Sequence, residues 1–249
     1  MISYEYPVNE RIRTLLRMED LSARLNFFLD QDAAFAHHAA LTTLFEILDV
    51  ACRSDLKTDL IQELERQKNI FLAKIQSDPA ERDASTLDQI EKASGELLSM
   101  QGKVGQHLRD NEWLMNLRQR TGIPGGVCEF DIPSYHYWLH RKPEIRLADL
   151  KHWLGPISLI NESIDLVLGI LRKNSRTLKY VAKHGCFQQI LAGRTAQMIS
   201  VSVDQGLSCI PEISANKYAL SIRFVTAEIL QRPKVSKDDV EFRLSFHHL

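Results

Sequence analysis

The sequence predicts an α+β protein in which a mostly helical N-terminal part is followed by an antiparallel β-strand part. Up to about residue 174, apolar residues recur three and four positions apart, which is the spacing of one helix face. From about residue 175 the period falls to two, as in strands that bury one face. We therefore predict a helical domain over residues 1–174 and a β-strand domain over residues 175–249.

The first helices are predicted from their apolar spacing and from candidate caps. Asn9 occupies an N-cap position before the first helix, and Ser54 and Ser85 are candidate N-caps of the third and fourth. A second helix is predicted over residues 34–52, and a later one ends near Arg120. These stretches make most of the first half of the chain helical.

Turn residues mark the breaks between the helices. The segment SDPAER at residues 78–83 separates the third helix from the fourth. Asp131 and Pro133 offer a cap and an early-turn proline for a short helix, PSYHYWLH. Two more helices are predicted, one over residues 147–154 and a strongly apolar one that starts at Pro156.

The β-strand part is predicted from alternating apolar and polar residues, with each strand burying one face of an antiparallel sheet. The clearest stretches are residues 199–203, 220–224 and 240–246. Two further strands are predicted near residues 177–182 and 186–191. The N-terminal residues ISYEY are predicted to add an edge strand to that sheet, which would bring the two ends of the chain together.

The overall composition is that of an ordinary globular protein. Hydrophobic residues make up 44 % of the 249 residues, charged residues make up 25 %, and the net charge is −1. That balance argues against bulk attraction to nucleic acid or to an anionic membrane. The N-terminus has no signal-peptide core, and no apolar run approaches the roughly 18 residues of a membrane span. We expect a cytoplasmic protein without membrane insertion.

Cysteines and histidines are the candidates for catalysis or metal binding. The four cysteines are widely spaced and predict reduced, mostly packed thiols: Cys52, Cys128, Cys186 and Cys209. Cys128 has His136 and His140 nearby in sequence, so it is either a nucleophile with a histidine base or a buried small hydrophobic residue. The two histidines have zinc-protease spacing, but Tyr137 replaces the required glutamate and no third ligand is evident. We predict no catalytic residue, no metal and no cofactor.

The stretch RQRTGIPGGVCEFDIPSYHYWLH, residues 118–140, contains the densest set of candidate functional residues. Its PGG segment has the spacing of neither a Walker loop nor a dinucleotide-binding loop. Gly125 and Gly126 therefore predict a tight turn that uses the freedom of glycine at positive φ.

Arginine and aromatic residues lie on both sides of this turn. Arg118 and Arg120 end one helix, and the next helix carries Tyr135 and Trp138. Such residues are enriched at binding hot spots, which favours a protein- or peptide-binding surface. The alternative is that Trp138 and Leu139 are core residues and the arginines cap carbonyl groups at the helix C-terminus. The residues alone leave both alternatives open.

Several stretches together resemble the ZapD family (also called YacF), bacterial cell-division proteins that associate with FtsZ. They are PVNERIRTLLRMEDL at residues 7–21, ILDVACRSDLKTDLIQELERQ at residues 47–67, the stretch at residues 118–140 and, more loosely, ISANKYALSIRF at residues 213–224. The resemblance covers essentially the whole chain in the same order. It implies a helical domain paired with a β-strand domain, a symmetric dimer and a function that is not enzymatic.

The resemblance also implies a partner and a site. Proteins of this family bind the short C-terminal tail of FtsZ, and a dimer can thereby crosslink or bundle FtsZ filaments and stabilise the Z-ring at midcell. The expected tail-binding residues are Arg17, Arg53, His136 and Arg223 by motif, with Arg118 and Arg120 added from their charge. A flexible tail with carboxylates would gain charge-assisted hydrogen bonds from such residues.

Two positions depart from the pattern of the family. Glu112 stands where a basic residue is expected, which weakens or relocates part of a basic pocket. Val127 replaces a second cysteine, a change that concerns packing. The alternative function from another class is a cysteine-dependent hydrolase or transferase that uses Cys128 and His136.

Overall fold

The computed structural model describes residues 1–53, 55–77, 84–191, 196–216, 218–228 and 232–248, without the side chains of residues 53, 76, 77 and 84. Its helices are α1 (Glu10–Leu29), α2 (Ala34–Arg53), α3 (Leu56–Ser77), α4 (Ala84–Ser99), α5 (Gln106–Arg109), α6 (Glu112–Thr121), α7 (Pro133–Leu139) and α8 (Pro143–Lys173). Its strands are β1 (Ile2–Pro7), β2 (Ser175–Ala182), β3 (Cys186–Ile190), β4 (Met198–Val203), β5 (Cys209–Ala215), β6 (Ala219–Thr226) and β7 (Val240–His247). The α+β class is confirmed, while the predicted cap Ser54 and the predicted break at residues 78–83 lie outside the described residues.

The chain divides into two compact units. One contains Met1–Arg13 with Leu168–Leu249 and includes the strands, and the other, Thr14–Val167, is helical. Helices α1 and α8 each begin in one unit and end in the other. The division therefore falls inside α8, whereas the predicted domains divide after residue 174.

The helical unit is built on apolar helix faces. Buried residues recur at helical spacing along these faces, including Leu15, Met18, Leu44, Leu48, Leu60, Leu64, Ile90, Leu97, Leu114, Leu117, Ile157, Ile160 and Ile164. Each such side chain contributes about 1.5–3 kcal/mol by leaving water. The spacing that predicted the helices is therefore the spacing that builds this core.

The helix caps test the local part of the prediction. Asn9 is confirmed as an N-cap, because its Oδ1 accepts a hydrogen bond from Ile12 N at 2.9 Å. The cap prediction for Ser85 is wrong, since this residue is the second of α4. The prediction for Asp131 is also wrong, since α7 begins after Ile132 without a side-chain cap.

Helix α8 corrects the prediction of two separate helices at residues 147–154 and from Pro156. It runs unbroken over Pro143–Lys173 with Pro156 in its interior. Pro156 has no N–H to donate to the carbonyl of His152, the usual partner four residues earlier. The next carbonyl oxygen, that of Trp153, lies 2.8 Å from His107 Nε2, a partner outside the helix. By length and composition α8 could also cross a membrane, but much of its apolar face is buried within the protein.

The strands form two antiparallel sheets rather than the single sheet predicted. One sheet has the order β1-β4-β7-β2 and the other the order β3-β6-β5. Strand β1 pairs with β4 at an edge, which confirms the prediction for ISYEY and places the N-terminus beside C-terminal strands. Strand β5 is absent from the sequence prediction, because Pro211 interrupts a clean alternation.

The two sheets enclose one apolar core. The ring of Phe242 on β7 lies 5.0 Å from that of Phe224 on β6 and 5.1 Å from that of Phe187 on β3. Strand β4 buries both faces, because Ser200 is buried and its hydroxyl lies 2.6 Å from His247 Nε2. The predicted exposed face of β4 is therefore wrong at this residue, because the Ser200 hydroxyl contacts the His247 ring of the neighbouring strand β7 instead of solvent.

Candidate partner-binding site

A shallow depression of about 290 Å³ lies between α1 and α2. Arg17, Asp20 and Arg24 line it from α1, where spacings of three and four residues place them on one helix face. Glu46 and Asp49 line it from α2. Arg24 pairs with Asp20 at 3.0 Å and with Glu46 at 3.5 Å. The depression therefore presents both signs of charge, and Arg24 is neutralised.

Arg118 of helix α6 contacts a residue that lines this depression. Its Nη2 forms an ion pair with Asp49, 69 residues away in sequence. Both side chains are more than a third exposed, so this pair contributes at most about 1 kcal/mol. Arg17 is exposed, and within the described part of the chain no carboxylate lies at ion-pair distance from it. Arg17 is therefore the arginine of this depression whose charge is available to a partner.

The turn between α6 and α7 needs both of its central glycines. Gly125 has a φ of 72°, which confirms the predicted positive φ. Gly126 permits a close approach, because a Cβ there would lie 2.6 Å from the carbonyl oxygen of Arg120. The side chain of Arg120 reaches Asp131 at 3.5 Å. Arg118 and Arg120 thus pair with carboxylates, and the alternative in which they cap helix carbonyls is wrong.

The aromatic residues of α7 are divided between core and surface. Tyr135 and Trp138 are buried, and Trp138 Nε1 donates to Asp149 at 2.9 Å. Burial raises the pKa of Tyr135, whose hydroxyl lies 2.5 Å from His38 Nδ1. Burial also lowers the pKa of His38, so a neutral ring meets a neutral phenol. The core alternative is right for Trp138, whereas Tyr137 is 72 % exposed.

His136 and Cys128 lie near this turn with separate partners. The Nε2 of His136 is 3.7 Å from Glu129, and its ring centroid is 4.3 Å from that of His140. The thiol of Cys128 donates to the Gly125 carbonyl at 2.9 Å. Among the residues with described side chains, no hydrogen bond joins Cys128 to either histidine, and no group of three or more candidate ligands could hold a metal ion.

The cysteines partly correct the prediction made for them. All four are free, which confirms the predicted absence of a disulfide framework. Cys52, Cys128 and Cys186 are exposed, however, so the prediction of mostly packed thiols is wrong. They lie near the end of α2, in the turn between α6 and α7, and at the start of β3, respectively.

Three other residues singled out in the sequence have different settings. Arg53 ends α2, and its side chain lies outside the described residues. Arg223 belongs to the strand unit, where it pairs across β6 and β5 with Glu212 at 2.8 Å. Glu112 opens α6, where the positive end of the helix dipole favours a carboxylate. That local preference is a physical reason for an acidic residue at this position.

The sequence prediction missed the acidic half of the site. The missing residues are Asp20, Glu46 and Asp49. The spacing of Asp20 and Arg24 was a usable signal, because residues four apart on a helix face each other. The pairing of Arg118 with Asp49 had no local signal, since two separate helices must pack before the atoms meet.

Together, the fold and site define an α+β protein with a helical unit, a β-sandwich unit and a surface depression lined by one exposed arginine and one arginine that is paired with carboxylates. Residues 16–223 match the ZapD family, described as "Cell division protein". The chain is 51 % identical over 249 residues to Cell division protein ZapD of Azoarcus sp. (strain BH72), covering 99 % of each protein. It is 50 % identical over 248 residues to Cell division protein ZapD of Aromatoleum aromaticum, covering 99 % of this chain and 97 % of that protein. The chain therefore belongs to the ZapD family of cell division proteins, as the resemblance predicted.

Proposed function

We propose that this chain is a non-enzymatic cell-division factor that binds the C-terminal tail of FtsZ and, as a dimer, crosslinks or bundles FtsZ filaments. Its place of action would be the cytoplasm at midcell. Membership of a family of cell division proteins supports the division role. The FtsZ tail, the dimer and the bundling are the proposed part. The sequence resemblance supports all three, and the exposed Arg17 of the depression supports the tail.

The proposed site rests on one observation: Arg17 is exposed and has no carboxylate partner among the described residues. Its exposed side chain lines the depression together with Arg24, which pairs with Asp20, and with Asp49, which pairs with Arg118. A carboxylate of the tail can therefore pair with Arg17 without displacing an internal partner. An exposed ion pair of this kind contributes at most about 1 kcal/mol, and it weakens as salt rises.

A modest affinity for a single tail is enough for this function. Ordering a flexible segment costs conformational entropy, which limits the affinity of one tail for one site. Two sites on a dimer that faces a polymer raise the effective concentration of the second tail. Bundling then needs only weak individual contacts.

The alternative function, a cysteine-dependent hydrolase or transferase, gains no support from the contacts of its two residues. The Cys128 thiol donates to a backbone carbonyl, and His136 faces Glu129. We therefore propose that Cys128 has a structural role in the turn. A serine at this position keeps an O–H donor for the same carbonyl, so Cys128→Ser is expected to leave FtsZ bundling unchanged.

The test of the proposed function is co-sedimentation of the purified protein with GTP-polymerised FtsZ, beside FtsZ that lacks its C-terminal tail. Thick bundles that pellet only with the intact tail are the expected result. Equal pelleting with both forms of FtsZ would still support FtsZ as the partner but would contradict its C-terminal tail as the segment that is bound. Failure to pellet with a cognate FtsZ at low salt would reject the proposal.

The variant Arg17→Ala isolates the proposed site. Loss of one exposed charge contact is expected to weaken tail binding by about fivefold, with little effect on folding. Lys151→Ala is the matched control, because it removes the same charge from an exposed position of α8 in the same unit. Unaltered bundling by folded Arg17→Ala protein, or an equal loss in both variants, would reject the role assigned to Arg17.

A further inference from the structure

A second, larger cavity of about 670 Å³ adjoins the last turn of α2. The end of α2, the start of α3 and residues 102–109 line it. Its charged lining residues are Asp55, Lys57, Lys103 and Arg109. Three cations and one carboxylate give this lining a formal charge of +2, which favours an anionic occupant. We call it the cationic cavity.

Two of the three cations of the cationic cavity, Lys57 and Arg109, are held in place by backbone carbonyl groups, and none of the three is neutralised. Lys57 Nζ donates to the carbonyl of Met100 at 2.6 Å, and Arg109 Nη2 donates to the carbonyl of Val104 at 2.9 Å. Lys103 is exposed. In the described part of the chain, no carboxylate lies at ion-pair distance from any of these three side chains. An anion that enters would therefore meet fixed positive charge without competing with an internal partner.

The lining favours carboxylates over phosphate. Asp55 adds one carboxylate among three cations, so the positive charge of the lining is carried by separate side chains. The guanidinium of Arg109 already donates to Val104, Cys52 and Gln106, so little of its bidentate face is left for phosphate. The lysines act as separate point charges, which suits carboxylates spaced along a peptide.

The cationic cavity and the Arg17 depression share the last turn of α2. Asp49 and Val50 line the depression, and Ala51 and Cys52 line the cationic cavity. A helix is roughly 10 Å across, a distance that about three extended peptide residues cover. We infer that an acidic peptide held at Arg17 continues over the end of α2 and places a carboxylate in the cationic cavity. This inference rests on the proposed function, in which the FtsZ tail is that peptide.

The test measures the affinity of a labelled peptide of the FtsZ C-terminal tail by fluorescence anisotropy at low salt. Lys103→Glu reverses one charge of the cationic cavity and is expected to raise the dissociation constant about fivefold or more. Asp55→Asn replaces the one lining carboxylate with a neutral side chain of nearly the same size, so it is expected to tighten binding by about twofold. Lys151→Glu is the charge-matched control on α8 and is expected to bind like the unmodified protein.

Opposite effects of the two cavity variants would support the inference, since misfolding cannot strengthen binding. Suppose that Lys103→Glu and Lys151→Glu bind with equal affinity while Arg17→Ala still weakens binding. That result would contradict a role of the cationic cavity in peptide binding and leave the proposed function standing. Absence of peptide binding by the unmodified protein would overturn both. A peptide whose Asp and Glu residues are replaced by Asn and Gln should lose its sensitivity to Lys103→Glu, and retained sensitivity would also overturn the inference.

Discussion

The arginines near the depression between α1 and α2 differ in whether their charge is paired, because their neighbours differ. Arg24 and Arg118 have carboxylate partners within the helical unit, whereas Arg17, which lines the same depression as Arg24, is exposed. A surface pair contributes little to stability, but it decides whether a charge is available to a partner. The same residue type is therefore structural at two positions and a candidate ligand at the third.

The effect of replacing a glycine also depends on the atoms around it, and Gly126 provides a test. In Gly126→Ala the added Cβ would lie 2.6 Å from a backbone oxygen of Arg120, so the backbone must shift. We expect a loss of about 1–3 kcal/mol in the free energy of unfolding, measured by urea denaturation.

Gly95→Ala is the matched control for this prediction. Gly95 lies inside α4 and a Cβ there meets no atom within 4 Å. Alanine favours helix over glycine, so the control is expected to gain about 0.5–1 kcal/mol. Equal stability of the two variants would show that the approach to Arg120 does not constrain the turn.

Helix α8 is anchored to its surroundings by Arg146, a buried cation. Its guanidinium donates to the backbone carbonyls of Asp32, Leu139 and Arg141. Its Nε also donates to Nδ1 of His37 at 3.0 Å. One side chain thus satisfies three carbonyl groups from two chain segments, and because Nδ1 of His37 accepts its Nε–H, His37 must remain neutral.

This contact predicts that stability falls in mild acid. Burial first, and the charge of Arg146 second, lower the pKa of His37, while Asp32 acts in the opposite direction. The contribution is therefore complete above the unfolded pKa of 6.5 and is lost as pH falls through the lower folded value. Urea denaturation between about pH 7.5 and pH 5.5 should show a decrease in the free energy of unfolding.

The change in the free energy of unfolding with pH, rather than its value at one pH, is the measurement that isolates His37. His37→Gln should flatten the slope in part, because His38 and His247 also have pKa values lowered by burial. His152→Gln removes an exposed histidine of α8 and should leave the slope unchanged. An unchanged slope in His37→Gln would contradict the assignment.

For the whole molecule, the proposed bundling is an effect of many weak charged contacts and should depend on salt. Raising NaCl from about 0.05 M to about 0.3 M shortens the screening length, and we expect the pelleted fraction of FtsZ to fall by several-fold. Sedimentation velocity should show a species of twice the chain mass at both concentrations, so that loss of bundling is not loss of the dimer. Bundling that is unaffected by salt would contradict an electrostatic tail site.

The sequence by itself determined the local elements and the family. Apolar spacing predicted most helices, alternation predicted five of the strands, and ISYEY was placed correctly as an edge strand. These features depend on residues close together in the chain, where backbone geometry repeats every 3.6 or 2 residues. The stretch at residues 118–140 also carried the family resemblance, which the comparison with relatives confirmed.

Only the tertiary structure decided how α8 accommodates Pro156, how the strands divide between two sheets and which arginines are neutralised. Arg118 and Asp49 are 69 residues apart, and Lys57 and Met100 are 43 residues apart. No periodicity relates such pairs, because their atoms meet only after separate helices pack. The sequence therefore gives the charged residues, but only the folded surface decides which of these charges are unpaired and available to a partner.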